Sequence, residues 1–211
     1  ASYYIRMRSI GFTITGCLFG APTSGSPCRA IACGGDQAGV QAQSSNIVIK
    51  GNFIDCGGVG ESAIHLENTN YLVSDNIIID PGDYGVQTDS TFLGYTKITN
   101  NLFRETDQTA IGVNTSSGSF IDIRGNTFIG FDDAIRVTAQ ASATRDSLTI
   151  VGNVISGHGN AGIEVDASGA SSTLDGMVID GNRVDGGGRG IRVQINGAGA
   201  AIDRLKIGQA N

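Results

Sequence analysis

The sequence predicts an all-β fold: a right-handed parallel β-helix of roughly seven to eight rungs, with three short strands per rung. Three observations carry this. Apolar and polar residues alternate in short runs: Ile121 and Ile123 interleave with Asp122 and Arg124, and Ala134, Ile135, Arg136 and Val137 form a second run. Such period-two runs bounded by Gly and Asn mark half-buried strands. The unit that holds them, residues 119–137, recurs at 47–66, 71–88, 96–113, 148–165 and 177–193. Glycine is abundant at 32 residues while charged residues are only 16%, the proportions of a turn-rich solenoid and not of a disordered chain.

The turn asparagines of the repeats are Asn52, Asn76, Asn101, Asn126, Asn153 and Asn182, at steps of 24, 25, 25, 27 and 29 residues. Four apolar columns follow. The first is Ile49, Val73, Ile98, Ile123, Ile150 and Ile179; the second is Ile54, Ile78, Phe103, Phe128, Ile155 and Val184. The third is Ile64, Val86, Ile111, Ile135, Ile163 and Ile191; the fourth is Leu66, Thr88, Val113, Val137, Val165 and Val193. One repeat cannot bury its apolar face, but stacked repeats share a continuous core. Asparagine suits the turn because its amide can bond backbone groups of the rungs above and below, and because it tolerates left-handed backbone. Parallel crossovers are right-handed by a wide margin, which sets the hand. At ~4.8 Å per rung the rod is roughly 35–40 Å long.

Residues 1–46 hold an irregular first rung and capping loops, and residues 47–211 the regular rungs, all in one continuous domain. Two registers compete at the start. Either Ile5, Arg6, Met7 and Arg8 open the first rung with Phe12 inward, or Phe12, Thr13, Ile14 and Thr15 do so, with Cys17 at the asparagine position and Phe19 inward. Both lead to Ala30, Ile31, Ala32 and Cys33 as the closing strand. Cys33 falls in the fourth column, as a buried thiol would. The spacing leaves open a disulfide among Cys17, Cys28 and Cys56 and lacks the paired C-x-x-C of a zinc site.

Further on, the segments after the fourth column lengthen, from 7 residues between Leu66 and Val73 to 13 between Val137 and Ile150 and 14 between Val165 and Ile179. These insertions, nearly free of aromatics, are expected to project as a wall along one edge. The last segment, with Leu205, Lys206 and Ile207, reads as the first strand of a rung that is not completed. Its cover would be further rungs beyond Asn211 or another subunit, since open strand edges invite association. A net charge of −6 and a pI of 4.7 argue against nucleic acid or a membrane surface as partner. No apolar run approaches the ~18 residues of a membrane span. The sequence begins at Ala1 without a secretory signal, as a mature or cut form would.

The stacked columns with their asparagine turns resemble the pectate-lyase-like right-handed parallel β-helix superfamily. That superfamily includes pectate lyases, polygalacturonases, mannuronan epimerases and tailspike depolymerases, and the resemblance covers residues 47–193. It implies a polysaccharide as substrate or ligand, an extracellular, secreted or virion-surface location and, from the tailspike-type members, a homotrimer. It speaks for the fold; activity must be read from the site.

The face that matters is the outward one of the strand ending each repeat. One column reads Ala32, His65, Gln87, Gly112, Arg136, Glu164 and Arg192; the next reads Gly34, Glu67, Asp89, Asn114, Thr138, Asp166 and Gln194. Glu67 stacks under Asp89, and Glu61 near Asp83, one rung of ~4.8 Å apart. Stacked like charges raise one carboxyl pKa, which separates an acid from a base. His65 and Tyr84 lie between these acids, and a His/Tyr pair can abstract and return a proton in uronate β-elimination or epimerisation. The plainer reading is a solvated polar face with water or calcium between the acids; no other cofactor is expected.

A second group, Asp132 and Asp133 with His158 and Arg192, is similar to the polygalacturonase pattern of an Asp-Asp pair, a Gly-His-Gly and a later arginine strand. It departs from that pattern in having Asn114, Thr115 and Ser116 for Asn-Thr-Asp, and Val193 or Gln194 for the lysine. Gln87, Asn114, Arg136, Glu164 and Arg192 are the candidate substrate-binding residues. Arg136, Glu164 and Arg192 also alternate in charge, which by itself supports neighbouring strands by a few tenths of a kcal/mol per pair. Two classes of function stand. One is polysaccharide binding or cleavage by carboxylate acid/base chemistry or β-elimination. The other is a non-catalytic structural or adhesive solenoid, which the absence of tryptophan favours.

Overall fold

Each repeat folds as three short strands, and like strands of successive repeats stack in parallel into three sheets. The structure, a computed structural model, describes residues 2–7, 11–21, 28–33, 45–59, 61–67, 69–88, 94–104, 108–117 and 120–208. The opening sheet has eight strands, from Thr13–Thr15 to Lys206–Ile207. The middle sheet has seven, from Leu18–Phe19 to Arg183–Asp185. The closing sheet follows a path of eight, from Ser2–Met7 to Arg189–Ile195.

The register is that of the four columns. Ile98 pairs with Val73 and Ile123, Phe103 with Ile78 and Phe128, and Ile111 with Val86 and Ile135. From Ile49 to Val165 every member of these columns is buried, most of them wholly. Phe103 stacks on Phe128 at 5.0 Å between ring centroids and meets Phe131 edge-on at 6.5 Å. Burying one such side chain fully is worth about 1.5–3 kcal/mol, so the columns dominate the stability of the rod. In the last rung the columns open: Val184 and Ile191 are partly buried, and Val193 is 37% exposed.

The asparagines form a continuous ladder. The Nδ2 of Asn126 donates to Ile98 O at 2.8 Å and to Asn153 Oδ1 at 3.1 Å, while its own Oδ1 accepts from the backbone N (2.9 Å) and Nδ2 (3.0 Å) of Asn101. The same bonds link Asn52, Asn76, Asn101, Asn153 and Asn182. One expectation needs correcting. The left-handed residue of the turn is the one before the asparagine: Gly51, Asp75, Asn100, Gly125, Gly152 and Gly181 have φ between 56° and 66°. The physical reason is a division of labour. The left-handed residue makes the corner, and the asparagine after it keeps an ordinary φ so that its amide points inward.

The first rung takes the second of the two registers. Thr13–Thr15 pairs with Ser45–Lys50, Ile14 lies opposite Ile49, and the Cys17 backbone N donates to Asn52 Oδ1 at 2.9 Å. The strand Ser2–Met7 instead joins the closing sheet, with Ile5 opposite Ile31, and so belongs to an earlier rung.

The insertions differ from the expected wall of loops. Thr144–Asp146, Thr173–Asp175 and Ala201–Asp203 pair in parallel as a short extension of the closing sheet. Leu174 is wholly buried there and Ile202 packs against the core. Their alternation, Thr-Leu-Asp and Ala-Ile-Asp, is a three-residue copy of the signal seen in the longer strands.

Cys17 and Cys33 are free thiols, and burial pushes Cys33 up to about 12. The Cys28 side chain lies outside the described residues. No helix among the described residues is long and apolar enough to cross a membrane.

Candidate functional site

Parallel pairing places one outward residue of each rung beside the next: His65 pairs with Gln87, Gln87 with Gly112, Gly112 with Arg136, Arg136 with Glu164 and Glu164 with Arg192. The column is therefore a real strip along the rod, and its members fall into three groups.

The first group is His65 and its surroundings. His65 is 4% exposed and Glu67 8%, with His65 Nε2 at 3.2 Å from Glu67 Oε1. His65 Nδ1 lies 3.1 Å from Gln87 Oε1, which also accepts a 2.5 Å bond from the Ser62 hydroxyl. Both imidazole nitrogens thus lie near side-chain oxygens, which fixes the orientation of the ring. Glu67 is tied into this network and is not an open carboxylate. Asp89, its expected partner, lies outside the described residues. Glu61 pairs with Arg29 at 2.5 Å, a partner that the irregular first rung hid from the sequence. Asp83 is exposed, yet burial of its carboxyl, and then the charge of Glu61, raises its pKa.

The second group centres on Tyr84, which is half-buried at the start of the strand Tyr84–Thr88. Its ring lies against Gly112, where any Cβ would collide with Tyr84 Cδ1 and Cε1. Its phenol pKa is raised by burial and by the charges of Asp83 and Asp133, while Arg136 and a hydrogen bond with Asn114 pull the other way. These effects place the phenol within the field of Asp83, Asn114, Arg136 and Asp133. Asn114 is itself positioned by its backbone N, which donates to Thr88 Oγ1 at 3.2 Å. The one sequence signal for this seat was a glycine in a column otherwise made mostly of large polar side chains.

The third group is a charge ladder. Glu164 is 3% exposed, with Arg192 Nη1 at 3.1 Å, Arg136 Nε at 3.7 Å and Gln194 Nε2 at 3.3 Å. Burial, and then Asp133, raises its carboxyl pKa, while Arg136 and Arg192 oppose the rise. Arg136 keeps 45% of its side chain in solvent, so it can also receive an anion from outside.

The polygalacturonase-like group is not assembled on this face. Asp133 is buried and accepts from Asn160 Nδ2 at 2.8 Å and from the Ala161 backbone N at 3.1 Å, which makes it the cap of the next strand. Asp132 is exposed, but His158 is only 3% exposed, closed in against Gly186 in a turn beside the core. A sugar on the outer face does not reach that ring. Among the described residues no three His, Cys, Asp or Glu side chains converge as metal ligands.

A family model described as a right handed beta helix region matches residues 11–146, about two thirds of the chain. No curated protein and no solved structure matches it.

Proposed function

The chain belongs to the right handed beta helix region family, and from that premise we propose that it cleaves an acidic polysaccharide by β-elimination on the outward face of the closing sheet. The observation that carries this reading is the seat of Tyr84 on Gly112, which holds a phenol beside a half-exposed guanidinium and a side-chain amide. Those are the groups that elimination from a uronate uses. Arg136 and Asn114 pair with the sugar carboxylate and make its C5 proton more acidic. The Tyr84 phenolate takes that proton, the C4–O bond breaks as the C4–C5 double bond forms, and the new phenol returns the proton to the departing oxygen. A positioned proton-transfer group of this kind contributes typically 10²–10⁴-fold. Gln87 lies on the same strand as Tyr84, with His65 and Glu67 one rung away, and this group meets the neighbouring sugar.

Two features support elimination over hydrolysis by paired carboxylates. Glu67 is held by His65, and Asp133 is spent on capping Asn160 and Ala161. A second reading, a non-catalytic structural solenoid, is favoured by the Glu164 ladder, whose members answer one another's charges.

The test is a panel of uronate polymers followed by two signals, new reducing ends and the ultraviolet absorbance of an unsaturated uronate. Elimination gives both, and Tyr84→Phe should lose both. Reducing ends alone would move the chemistry to Asp83 and Glu61 as a hydrolytic pair. Neither signal on any acidic polymer would leave the structural reading.

A further inference from the structure

We propose that Tyr95 and Phe120, with Lys97 beside them, form a second glycan-binding site on the opening sheet, a shelf for a sugar ring that bears a carboxylate. It shares a ligand class with the reading above but stands on a different sheet and on different residues.

Tyr95 and Phe120 are Cα partners on adjacent strands, so their side chains leave the sheet from positions about 4.8 Å apart along the rod. They are 44% and 48% exposed. Tyr95 separates two grooves. The larger holds 340 Å³ and is lined by Asn46, Asn70, Tyr71, Leu72, Tyr95 and Lys97. The smaller holds 140 Å³ and is bordered by Tyr95, Phe120, Asp122 and Arg124. The larger volume is at the lower end of the roughly 300–1,000 Å³ of small-ligand pockets, and its make-up is the usual one: an apolar floor with a few polar groups at the rim.

Charge selects among sugars. Lys97 Nζ stands 5.4 Å from the centre of the Tyr95 ring. Its cationic neighbours are already answered, Lys50 by Asp75 and Arg124 by Asp122. Asp122 is the Cα partner of Lys97, but its carboxylate faces Arg124. Lys97 has no carboxylate partner among the described residues, so it is the cation left over for a ligand. The Lys97 ammonium stands over the Tyr95 ring; the apolar C–H side of a pyranose takes the aromatic surface that it leaves uncovered, and the ammonium takes the carboxylate. The amides of Asn46 and Asn70 supply neutral hydrogen-bonding groups for hydroxyls. With a net charge of −6 the whole chain repels polyanions at long range, so binding depends on this local cation and should weaken with salt.

The experiment is retention of the full chain in native gels containing polygalacturonate, alginate or hyaluronate, with methyl-esterified polygalacturonate as the uncharged control. The parent should be retained by at least one of the three acids. Tyr95→Ala and Phe120→Ala should each weaken that retention about tenfold, the effect of losing roughly one aromatic contact. Tyr95→Phe should keep it. Lys97→Gln should weaken retention by the acid and leave the ester unchanged. Elimination is read separately, from the ultraviolet signal of an unsaturated uronate, so it can fail while the shelf stands, and the reverse.

Three results would each overturn the shelf: parent-like retention in both alanine variants at unchanged melting temperature, no retention of the parent by any of the three acids, or sedimentation showing that Tyr95→Ala dissociates a dimer that the parent forms without sugar. The last would make this face a contact between copies.

Discussion

The inside and the outside of the same strands obey opposite rules. Inward, asparagine occupies the turn six times in succession, and Ile49, Val73, Ile98, Ile123, Ile150 and Ile179 fill one column with little change. Outward, the closing sheet reads His65, Gln87, Gly112, Arg136, Glu164 and Arg192, almost without repetition. The inner residues repeat because each needs the same partner one rung away: the Asn126 amide is satisfied only if Asn101 and Asn153 carry amides too. The outer residues need no such match, so any departure from repetition there is available for recognition or chemistry.

Substitutions on the two sides should therefore separate cleanly, and the largest effect is expected outside. Tyr84→Phe should lower turnover by about 10²–10⁴-fold while thermal melting stays that of the parent. Because burial raises the Tyr84 pKa, its phenolate appears only above the ordinary tyrosine range. In the parent kcat/KM should therefore keep climbing into alkaline solution, and a plateau near neutrality would remove Tyr84 as the base. Inside, Ile135→Ala should cost about 2–5 kcal/mol in denaturant unfolding through its cavity, against less than about 1 kcal/mol for its outward neighbour Arg136→Ala. The reverse order would mean that the register is off by one.

Asn126→Ala should cost about 1–3 kcal/mol by leaving the backbone N of Asn101 and the carbonyl of Ile98 without their amide. Hydrogen exchange should speed first at Asn101, and a uniform change along the rod would count against the ladder. The smallest effect belongs to Glu164. Its raised pKa means that the folded chain holds the proton more tightly than the unfolded chain does. That stabilisation is full below the ordinary glutamate range and is lost as pH rises through the folded pKa. Glu164→Gln should flatten this part of the stability–pH curve and, because the folded site favours the uncharged carboxyl, leave stability at neutral pH within about 1 kcal/mol of the parent. An unchanged slope would assign it to Asp83, whose pKa is also raised.

The same contrast explains what the sequence revealed. The parallel coil, the columns and the asparagine turns were legible because each is stated six times over. The extension through Leu174 and Ile202 was missed because its signal is three residues long and begins only in the later rungs. The site was half legible. Outward positions were read correctly from parity, so Gln87, Arg136, Glu164 and Arg192 fall in register as expected. Parity does not say how deep an outward residue sits. Glu67 looked like an open acid and is instead buried beside His65. His158 was read as part of a Gly-His-Gly motif, but it is closed in by Gly186 of the next rung, which nothing in that local motif announces.

The rung spacing makes the outer surface a ruler with fixed graduations. Along the rod axis two side chains can be separated only by whole multiples of ~4.8 Å, whatever their identity. A polymer laid along that axis meets equivalent positions only where its own repeat is commensurate with this interval. One whose repeat is slightly longer or shorter drifts out of phase and loses contact after a few units. Selectivity for linkage geometry can thus come from the period of the scaffold itself, with side-chain chemistry choosing only where along the ruler the polymer is read.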